Sequence, residues 1–231
     1  MSLLILSINN DVPQPFLSDV PPNPEVLFEA DIVDISLWVD YIYLDTDERR
    51  RFAQTSHEYL ITQVQSNENN VHPGRNQIQL NFNHPVKEIT WFIQQPGFGY
   101  DYFGELLNSN IDCVEKAKLV LNNQDREQER DGTYFRCVIP YDKHIGGYAQ
   151  GRTTDLDGIP ENQGGFYQYS FAISPDEYQP SGTCNFSRID NSVLVLKIYE
   201  SIEPGSRIRF YARNYNVLRI MSGMGGLAYS N

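Results

Sequence analysis

The segment "NQIQLNFNHPVKEITWFIQQ" (76–95) contains the pattern that decides the fold class. Its first part places Ile78, Leu80 and Phe82 on one side of an extended chain and Gln or Asn on the other, and its second part repeats the alternation around Trp91. A period of two is typical of a β-strand with one buried face. The segment therefore predicts two half-buried strands.

The same alternation recurs in six further segments. They are "HEYLITQVQ" (57–65), "VEKAKLVLNN" (114–123), "FYQYSFAI" (166–173), "SVLVLKIYE" (192–200), "SRIRFYAR" (206–213) and "NVLRIMSGMGGLAYS" (216–230). A less regular excursion, roughly 123–164, separates two groups of four strands, and we expect it to start as a helix. Eight short strands with long connections predict an all-β jelly roll, in which two four-stranded antiparallel sheets pack face to face.

The composition agrees with a large β-domain. The chain has 231 residues, of which 40% are apolar, and Tyr (15) and Phe (12) are abundant beside 16 Gly and 13 Pro. Aromatic residues favour strands, and Gly and Pro favour the turns between them. This length suits one large β-domain, or one domain plus a remnant of another.

The chain is acidic, and the acidity is uneven. The formal net charge is −12, and residues 1–48 hold ten Asp or Glu and no Lys or Arg. Non-specific binding to a phosphate backbone needs a surplus of cations that release its counterions. We therefore expect no nucleic-acid partner.

The cysteines indicate neither a disulfide framework nor a zinc site. Cys113, Cys137 and Cys184 are odd in number and contain no C-x-x-C spacing, so we interpret them as buried thiols in a reducing compartment. Both tryptophans precede all three cysteines, whereas an immunoglobulin domain carries its core Trp between two Cys.

No catalytic or cofactor motif is recognisable. The four histidines form no H-x-H or H-E-x-x-H pair, and the nucleophile elbow and the phosphate-binding P-loop are absent. "SGMGGL" (222–227) has the glycines of a phosphate loop, but only "LAYSN" follows where a helix is needed. We expect these glycines to let the last strand bend or bulge where another backbone or subunit comes close. The sequence predicts no enzyme activity, no cofactor and no metal.

The N-terminal region differs from the rest. "LLILSI" (3–8) is too short to span a bilayer and lacks the flanks of a signal peptide, so we expect synthesis in the cytosol. "VPQPFLSDVPPNP" (12–24) is a Pro-rich acidic connector, and "DISLWVDYIYLD" (34–45) predicts a strand with nothing before it to pair with. "DTDERRRFAQTSHEY" (45–59) predicts a short helix or turn capped by Asp45 or Thr46.

Four long segments carry a resemblance to a known family. They are "YIYLDTDERRRFAQTSHEYLI" (41–61), "LNFNHPVKEITWFIQ" (80–94), "QPSGTCNFSRIDN" (179–191) and "YARNYNVLRIMSGMGGLAYSN" (211–231). In this order they resemble the C-terminal half of the major capsid proteins of nucleocytoplasmic large eukaryotic DNA viruses, a group that includes iridoviruses, chloroviruses and mimivirus relatives. The resemblance covers about residues 35–231.

The resemblance implies a double jelly-roll protein. Residues 1–45 then hold a Pro-rich acidic segment and the final strand of a truncated first roll, and residues 46–231 form the second roll. It also implies homotrimeric, pseudo-hexagonal capsomers that tile an icosahedral shell. The implied partners are neighbouring capsomers, minor cement proteins and, indirectly, the inner virion membrane, and the implied location is the virion shell, assembled in host cytoplasm.

Within the resembling segments, charged and amide side chains are the candidates for subunit or inter-roll contacts. They are Asp45, Asp47, Arg49, Arg50, Arg51, Arg188, Asp190, Arg213 and Asn214. An alternative function is a carbohydrate-binding jelly-roll module on a virion surface, in which Tyr100, Tyr102 and Phe103 of a Gly-rich loop stack on sugar.

Overall fold

The structure is a computed structural model, and it describes residues 4–7, 36–96, 113–144, 166–200 and 202–229. The chain divides into two compact units, Met1–Thr55 and Ser56–Asn231.

The described residues of the first unit form two strands and a helix. Strands β1 (Leu4–Ser7) and β2 (Ser36–Val39) pair antiparallel, with Leu4 opposite Val39. The prediction of an unpaired strand over 34–45 was therefore wrong in both length and pairing. Tyr41 and Tyr43 are 76% and 91% exposed, so the alternation there does not mark a buried face.

Helix α1 (Thr46–Gln54) follows and begins at the predicted cap. The Asp45 carboxylate accepts a hydrogen bond from the Glu48 backbone N–H at 2.9 Å, which satisfies one of the free donors of the first turn. None of the helix residues is buried within this chain.

The described part of the second unit contains eleven strands and three short helical segments. Before the excursion lie β3 (His57–Asn70), β4 (Gly74–Gln79), β5 (Pro85–Gln94) and β6 (Val114–Leu121). Then come β7 (Gln124–Asp125), β8 (Arg130–Asp131), a π-helical turn (Tyr134–Val138), α2 (Ile139–Lys143) and β9 (Tyr167–Ser170). The chain closes with β10 (Cys184–Asn185), a 3-10 turn (Phe186–Arg188), β11 (Ser192–Ile198), β12 (Arg207–Met221) and β13 (Met224–Leu227).

These strands form two antiparallel sheets. In sheet I, β5 lies between β12 on one side and β9 and β10 on the other, and β12 pairs along its far edge with β3. In sheet II, β11 lies between β4 and β6, and β6 pairs further with β7 and β8. The strands β3, β4, β5 and β6 alternate between the sheets, and so do β9, β11 and β12, as in a jelly roll. The predicted all-β jelly-roll class is confirmed, but the described sheets have six and five strands and not four each.

One hydrophobic core unites the two sheets. Trp91 and Phe210 from sheet I and Leu119 and Leu196 from sheet II are each at most 1% exposed and belong to the same cluster. The Trp91 ring stacks on that of Tyr167, with centroids 5.9 Å apart.

The inward faces read from the alternation around Ile78, Leu80 and Trp91 are confirmed by this burial. The apolar face read for β3 is wrong, because Leu60 and Val64 are 55% and 61% exposed.

The strand predicted over 206–213 and the first part of the one predicted over 216–230 are a single strand. β12 runs unbroken for 15 residues, and two amide side chains occupy inward positions between its apolar ones. Asn214 is 0% and Asn216 is 3% exposed, and Asn216 donates to Gln63 Oε1 at 2.9 Å and to the Tyr229 carbonyl at 2.8 Å. A search for apolar alternation breaks the strand at these polar residues, whereas in the fold the amide groups of both donate hydrogen bonds.

The "SGMGGL" segment makes a tight turn, not a bulge. Ser222 and Gly223 have φ of 52° and 77°, and they form a two-residue turn between the paired residues Met221 and Met224. Positive φ at both turn positions is the conformation that suits the twist of a two-residue hairpin.

Two further expectations were wrong in the middle of the chain. The excursion starts with the short strands β7 and β8, and its helical turns come later, over 134–143. Cys113 is buried, but Cys137 on the π-helical turn is exposed and Cys184 is half-buried.

Candidate functional site

A β-bulge in sheet I brings charged side chains together. Arg213 of β12 is opposite Glu88 of β5, but its neighbour Asn214 is opposite Val86, so Lys87 is an extra residue. The Lys87 carbonyl accepts backbone hydrogen bonds from Phe171 and from the residue after it, at 2.8 and 3.1 Å. A bulge of this kind bends the strand and changes the direction of its side chains.

Because of the bulge, two consecutive side chains contact the same face of β12. Glu88 meets Arg213, and the Lys87 ammonium lies 5.2 Å from the ring centroid of Tyr215. Arg213 and Tyr215 are two residues apart in one strand, so they share a face. Without the extra residue, Lys87 and Glu88 would point to opposite faces.

Glu88 is the centre of a four-residue charge cluster. Its side chain is 3% exposed and its Oε1 lies 2.7 Å from Arg213 Nη1. Its Oε2 lies 3.2 Å from His144 Nε2, an ionic contact whose alignment falls short of a hydrogen bond. His144 Nδ1 lies 2.9 Å from Asp176 Oδ2, and Arg213 Nη1 lies 3.6 Å from Asp176 Oδ1. We call Glu88, His144, Asp176 and Arg213 the outer charge cluster.

The geometry favours a doubly protonated His144. A neutral imidazole has one N–H, whereas here each ring nitrogen faces a carboxylate oxygen, which can only accept. The pKa of His144 is accordingly raised, mainly by the Glu88 carboxylate and further by Asp176, although burial of the ring acts in the opposite direction.

Lys87 is a cation close to this cluster, and its burial lowers the pKa of its ammonium group. The residue is 2% exposed, and burial lowers the pKa of its ammonium, with the Arg213 guanidinium lowering it further. The acidic members of the cluster oppose this effect.

The outer charge cluster ties the excursion and the loop after β9 to sheet I. His144 is the residue that ends α2, and Asp176 lies in the loop between β9 and β10. Arg213 also donates to the Pro175 carbonyl at 3.1 Å. The arrangement fixes segments of the surface in place.

The predicted contact residues of the first unit lie on α1. Asp45 is the helix cap, and Asp47 forms an exposed ion pair with Arg50 at 3.5 Å. Arg49 and Arg51 are also exposed. The whole group is presented on a helix without buried residues, which leaves it accessible in this chain.

Arg188 and Asp190, the predicted contact residues that follow β10, are exposed. Arg188 ends the 3-10 turn, which starts with the Asn185 side chain accepting from the Ser187 N–H at 3.1 Å. The backbone N–H of Asp190 donates to Asn122 Oδ1 at 3.1 Å. The residue itself is exposed.

Arg213 and Asn214 differ from these, because both make contacts inside the chain. Arg213 belongs to the outer charge cluster, and Asn214 is 0% exposed with its amide donating to the Tyr215 carbonyl at 3.2 Å. The structure brings Arg213 together with Glu88, His144 and Asp176, none of which the sequence pattern selected. These four residues have no common local motif, since they are separated by at least 32 positions.

Neither a metal site nor a membrane helix occurs in the described ranges. No group of three or more His, Cys, Asp or Glu side chains there is arranged to hold a metal ion. No helix among those residues has the length and apolar character needed to cross a bilayer. Tyr100, Tyr102 and Phe103, the predicted sugar-stacking residues, lie outside the described residues.

Comparison with known proteins agrees with the sandwich. Residues 48–226 match the family model described as large eukaryotic DNA virus major capsid protein. The major capsid protein of Pyramimonas orientalis virus is 46% identical over 211 residues, which is 87% of this chain and 50% of the relative. The major capsid protein of Paramecium bursaria Chlorella virus 1 is 38% identical over 253 residues, which cover 85% of this chain and 54% of the relative.

A solved structure shows the same fold. A quasi-atomic model of the PBCV-1 virus capsid matches with a TM-score of 0.66 and 38% identity, covering 86% of this chain and 57% of that one. The chain spans about half the length of the curated relatives it matches. The two packed sheets, the family match over most of their residues and these identities together show that the chain belongs to the major capsid protein family of large eukaryotic DNA viruses.

Proposed function

We propose that the chain is a structural subunit of a viral shell, which associates with copies of itself into trimeric, pseudo-hexagonal capsomers of an icosahedral capsid. The observation that carries the proposal is the family match over residues 48–226, because the family consists of structural capsid proteins. The proposed place of assembly is the host cytoplasm, and the proposed partners are neighbouring capsomers, minor cement proteins and, through these, the inner membrane of the virion.

The two-sheet sandwich suits a structural role. Its core joins both sheets in one cluster, and sheet I is bonded along β12 over 14 consecutive pairs with β3. A rigid body of this kind can present loops and short helices to neighbours without changing shape itself. In the proposal, residues 1–45 provide the end of a first roll and residues 46–231 provide the second.

The proposed contacts fall into two classes. Asp45, Asp47 and Arg49–Arg51 on α1, and Arg188 with Asp190, are exposed and can pair directly with charges on another subunit. Arg213 and Asn214 are engaged inside the chain, so we propose that they act indirectly. Arg213 holds the loop that contains Asp176, whereas Asn214 lies buried within β12.

Sedimentation velocity of the purified chain over a concentration series tests the proposal. We expect a monomer–trimer equilibrium, and detection of the same chain in purified virions by mass spectrometry. A chain that stays monomeric at every concentration and is absent from virions would contradict it.

Charge reversal separates a specific contact from general electrostatics. Arg188→Glu should weaken association, because it puts an acid where the proposal has a cation on a contact surface. Arg75→Glu is the matched control, since Arg75 is also exposed but lies on β4 of sheet II, and it changes the net charge equally. Equal effects of the two variants would assign the change to net charge and remove Arg188 from the contact.

A further inference from the structure

The hairpin of β12 and β13 has exposed apolar side chains and a free strand edge. Met221, Met224 and Leu227 are 52%, 74% and 47% exposed. In the described ranges β13 pairs with β12 alone, so its other edge has no strand beside it. A free strand edge presents unpaired N–H and C=O groups that can add another strand.

The turn determines which backbone groups lie on this edge. A two-residue turn places a hydrogen-bonded pair, Met221 with Met224, next to it, and bonded and non-bonded pairs then alternate along the hairpin. The Ala228 N–H accordingly donates to the Val217 carbonyl at 2.8 Å. In this alternation the N–H and C=O groups of Gly225 and Leu227 point away from β12.

Nothing among the described residues requires the two glycines of β13. Neither has a positive φ, unlike Gly223 in the turn. A Cβ on Gly226 would meet nothing within 4 Å, and one on Gly225 would make ordinary contacts of 3.9 and 4.0 Å. Glycine inside a strand lowers its stability, and one reason to keep it there is the close approach of another backbone.

The edge also lacks the features that normally prevent strand addition. No Pro and no charged residue occurs from Ile220 to Leu227. Copies of a chain with a net charge of −12 repel one another, so an uncharged apolar segment is the kind of surface on which they can associate. Charge, exposure and backbone chemistry therefore favour a second copy of this chain as the occupant.

We propose that β13 of one copy pairs antiparallel with β13 of a second copy across a two-fold axis at Gly226. Gly225 of one copy then exchanges two backbone hydrogen bonds with Leu227 of the partner subunit, and the symmetric pair does the same. Because Gly225 and Gly226 have no side chains, the two β13 backbones and the sheet surfaces beside them can approach closely. Such a contact is isologous, so it joins two copies and cannot build a three-fold ring. It rests on the proposed function and assigns β13 to the link between one capsomer and the next.

A cysteine placed at the axis tests the pairing and its register. Gly226→Cys is introduced together with Cys137→Ser, which removes the exposed native thiol. We expect mild oxidation to give a covalent dimer, because residues at the axis face each other at about 4.5 to 5.5 Å between Cβ atoms. The control is Met224→Cys in the same background. It lies on the same strand, but its two copies are about 14 Å apart in the proposed register, so it should stay unlinked.

A second pair of variants tests the backbone bonds. Gly225→Pro removes an outward N–H that the hairpin itself does not use, whereas Gly225→Ala keeps it and fits the available space. We expect Pro, but not Ala, to weaken the two-fold association measured by sedimentation about ten-fold or more, since two hydrogen bonds are lost per contact. Far-ultraviolet circular dichroism of both variants confirms that the sandwich is retained.

The outcomes separate this inference from the proposed function. Trimers that form normally while Gly226→Cys gives no covalent dimer would overturn the β13 pairing and leave the capsid role standing. Covalent dimers from Gly226→Cys and from Met224→Cys in equal yield would also overturn it, because a non-specific collision would explain both. A wild-type chain that never associates would contradict both proposals.

Discussion

At the scale of single residues, the bulge at Lys87 has the largest consequence. One extra residue in β5 puts Lys87 and Glu88 against the same face of β12, and Glu88 then meets Arg213 and His144 at 2.7 and 3.2 Å. A carboxylate that is 3% exposed is costly to bury alone, and its two cations compensate for lost hydration. The same contacts attach the residue that ends α2 to sheet I.

His144 makes the stability of this attachment depend on pH. Its pKa is raised in the folded chain by the Glu88 carboxylate, so the protonated form favours folding. This contribution is fully present below the unfolded pKa of about 6.5 and is lost as the pH rises through the higher folded value. We expect His144→Gln to be more destabilising at pH 6 than at pH 9.

Denaturant unfolding of wild type and His144→Gln at both pH values measures this effect. The relevant quantity is the difference in unfolding free energy between the two proteins, because other titrating groups cancel in it. An equal difference at pH 6 and pH 9 would show that His144 acts through packing alone.

At the scale of elements, the junction between β8 and the π-helical turn depends on Gly132. A Cβ at this position would collide with the Val114 carbonyl, a backbone atom that cannot move away without disturbing β6. The short strand β8 pairs with β6 at two positions only, so it has few contacts that could absorb a shift.

Gly132→Ala should therefore lower the unfolding free energy by roughly 2 kcal/mol or more, as an overpacked site does. Gly226→Ala is the matched control, because its Cβ would meet nothing within 4 Å. Urea unfolding at low protein concentration, where copies are apart, compares the two. A loss of stability at Gly132 no larger than at Gly226 would mean that β8 adjusts at no cost.

Elements also differ in how well the sequence predicted them. Strands with clear apolar alternation, such as β6 and β11, were recovered, since Leu119, Leu194 and Leu196 point into the core. β12 was divided in two because Asn214 and Asn216 occupy inward positions, and a local pattern cannot show that Gln63 and the Tyr229 carbonyl accept hydrogen bonds from Asn216. Strands of two residues, such as β7 and β8, are too short to carry a period.

At the scale of the whole molecule, the net charge of −12 opposes self-association. The repulsion between copies acts over the Debye length, which falls from about 30 Å at 0.01 M salt to about 8 Å at 0.15 M. The proposed β13 contact contains no charged residue between Ile220 and Leu227, so screening removes repulsion without weakening the contact itself.

We therefore expect self-association to strengthen when salt is raised from about 0.01 M to about 0.15 M. Sedimentation velocity at the two salt concentrations measures it, with Gly225→Pro as the control that should respond less. Association that weakens with salt would instead indicate attractive ion pairs, such as those proposed for α1 and Arg188, as the dominant contact.

The sequence by itself determined the all-β class, the inward faces of most strands, the cap of α1 and the family, because these depend on local periodicity, on a short-range hydrogen bond and on long motifs. Only the tertiary structure decided the pairing of β2 with β1, the continuity of β12, the tight turn at Ser222 and the outer charge cluster. The physical reason is distance along the chain. Glu88, His144, Asp176 and Arg213 come together through strand register and one bulge, and neither leaves a local signal in the sequence.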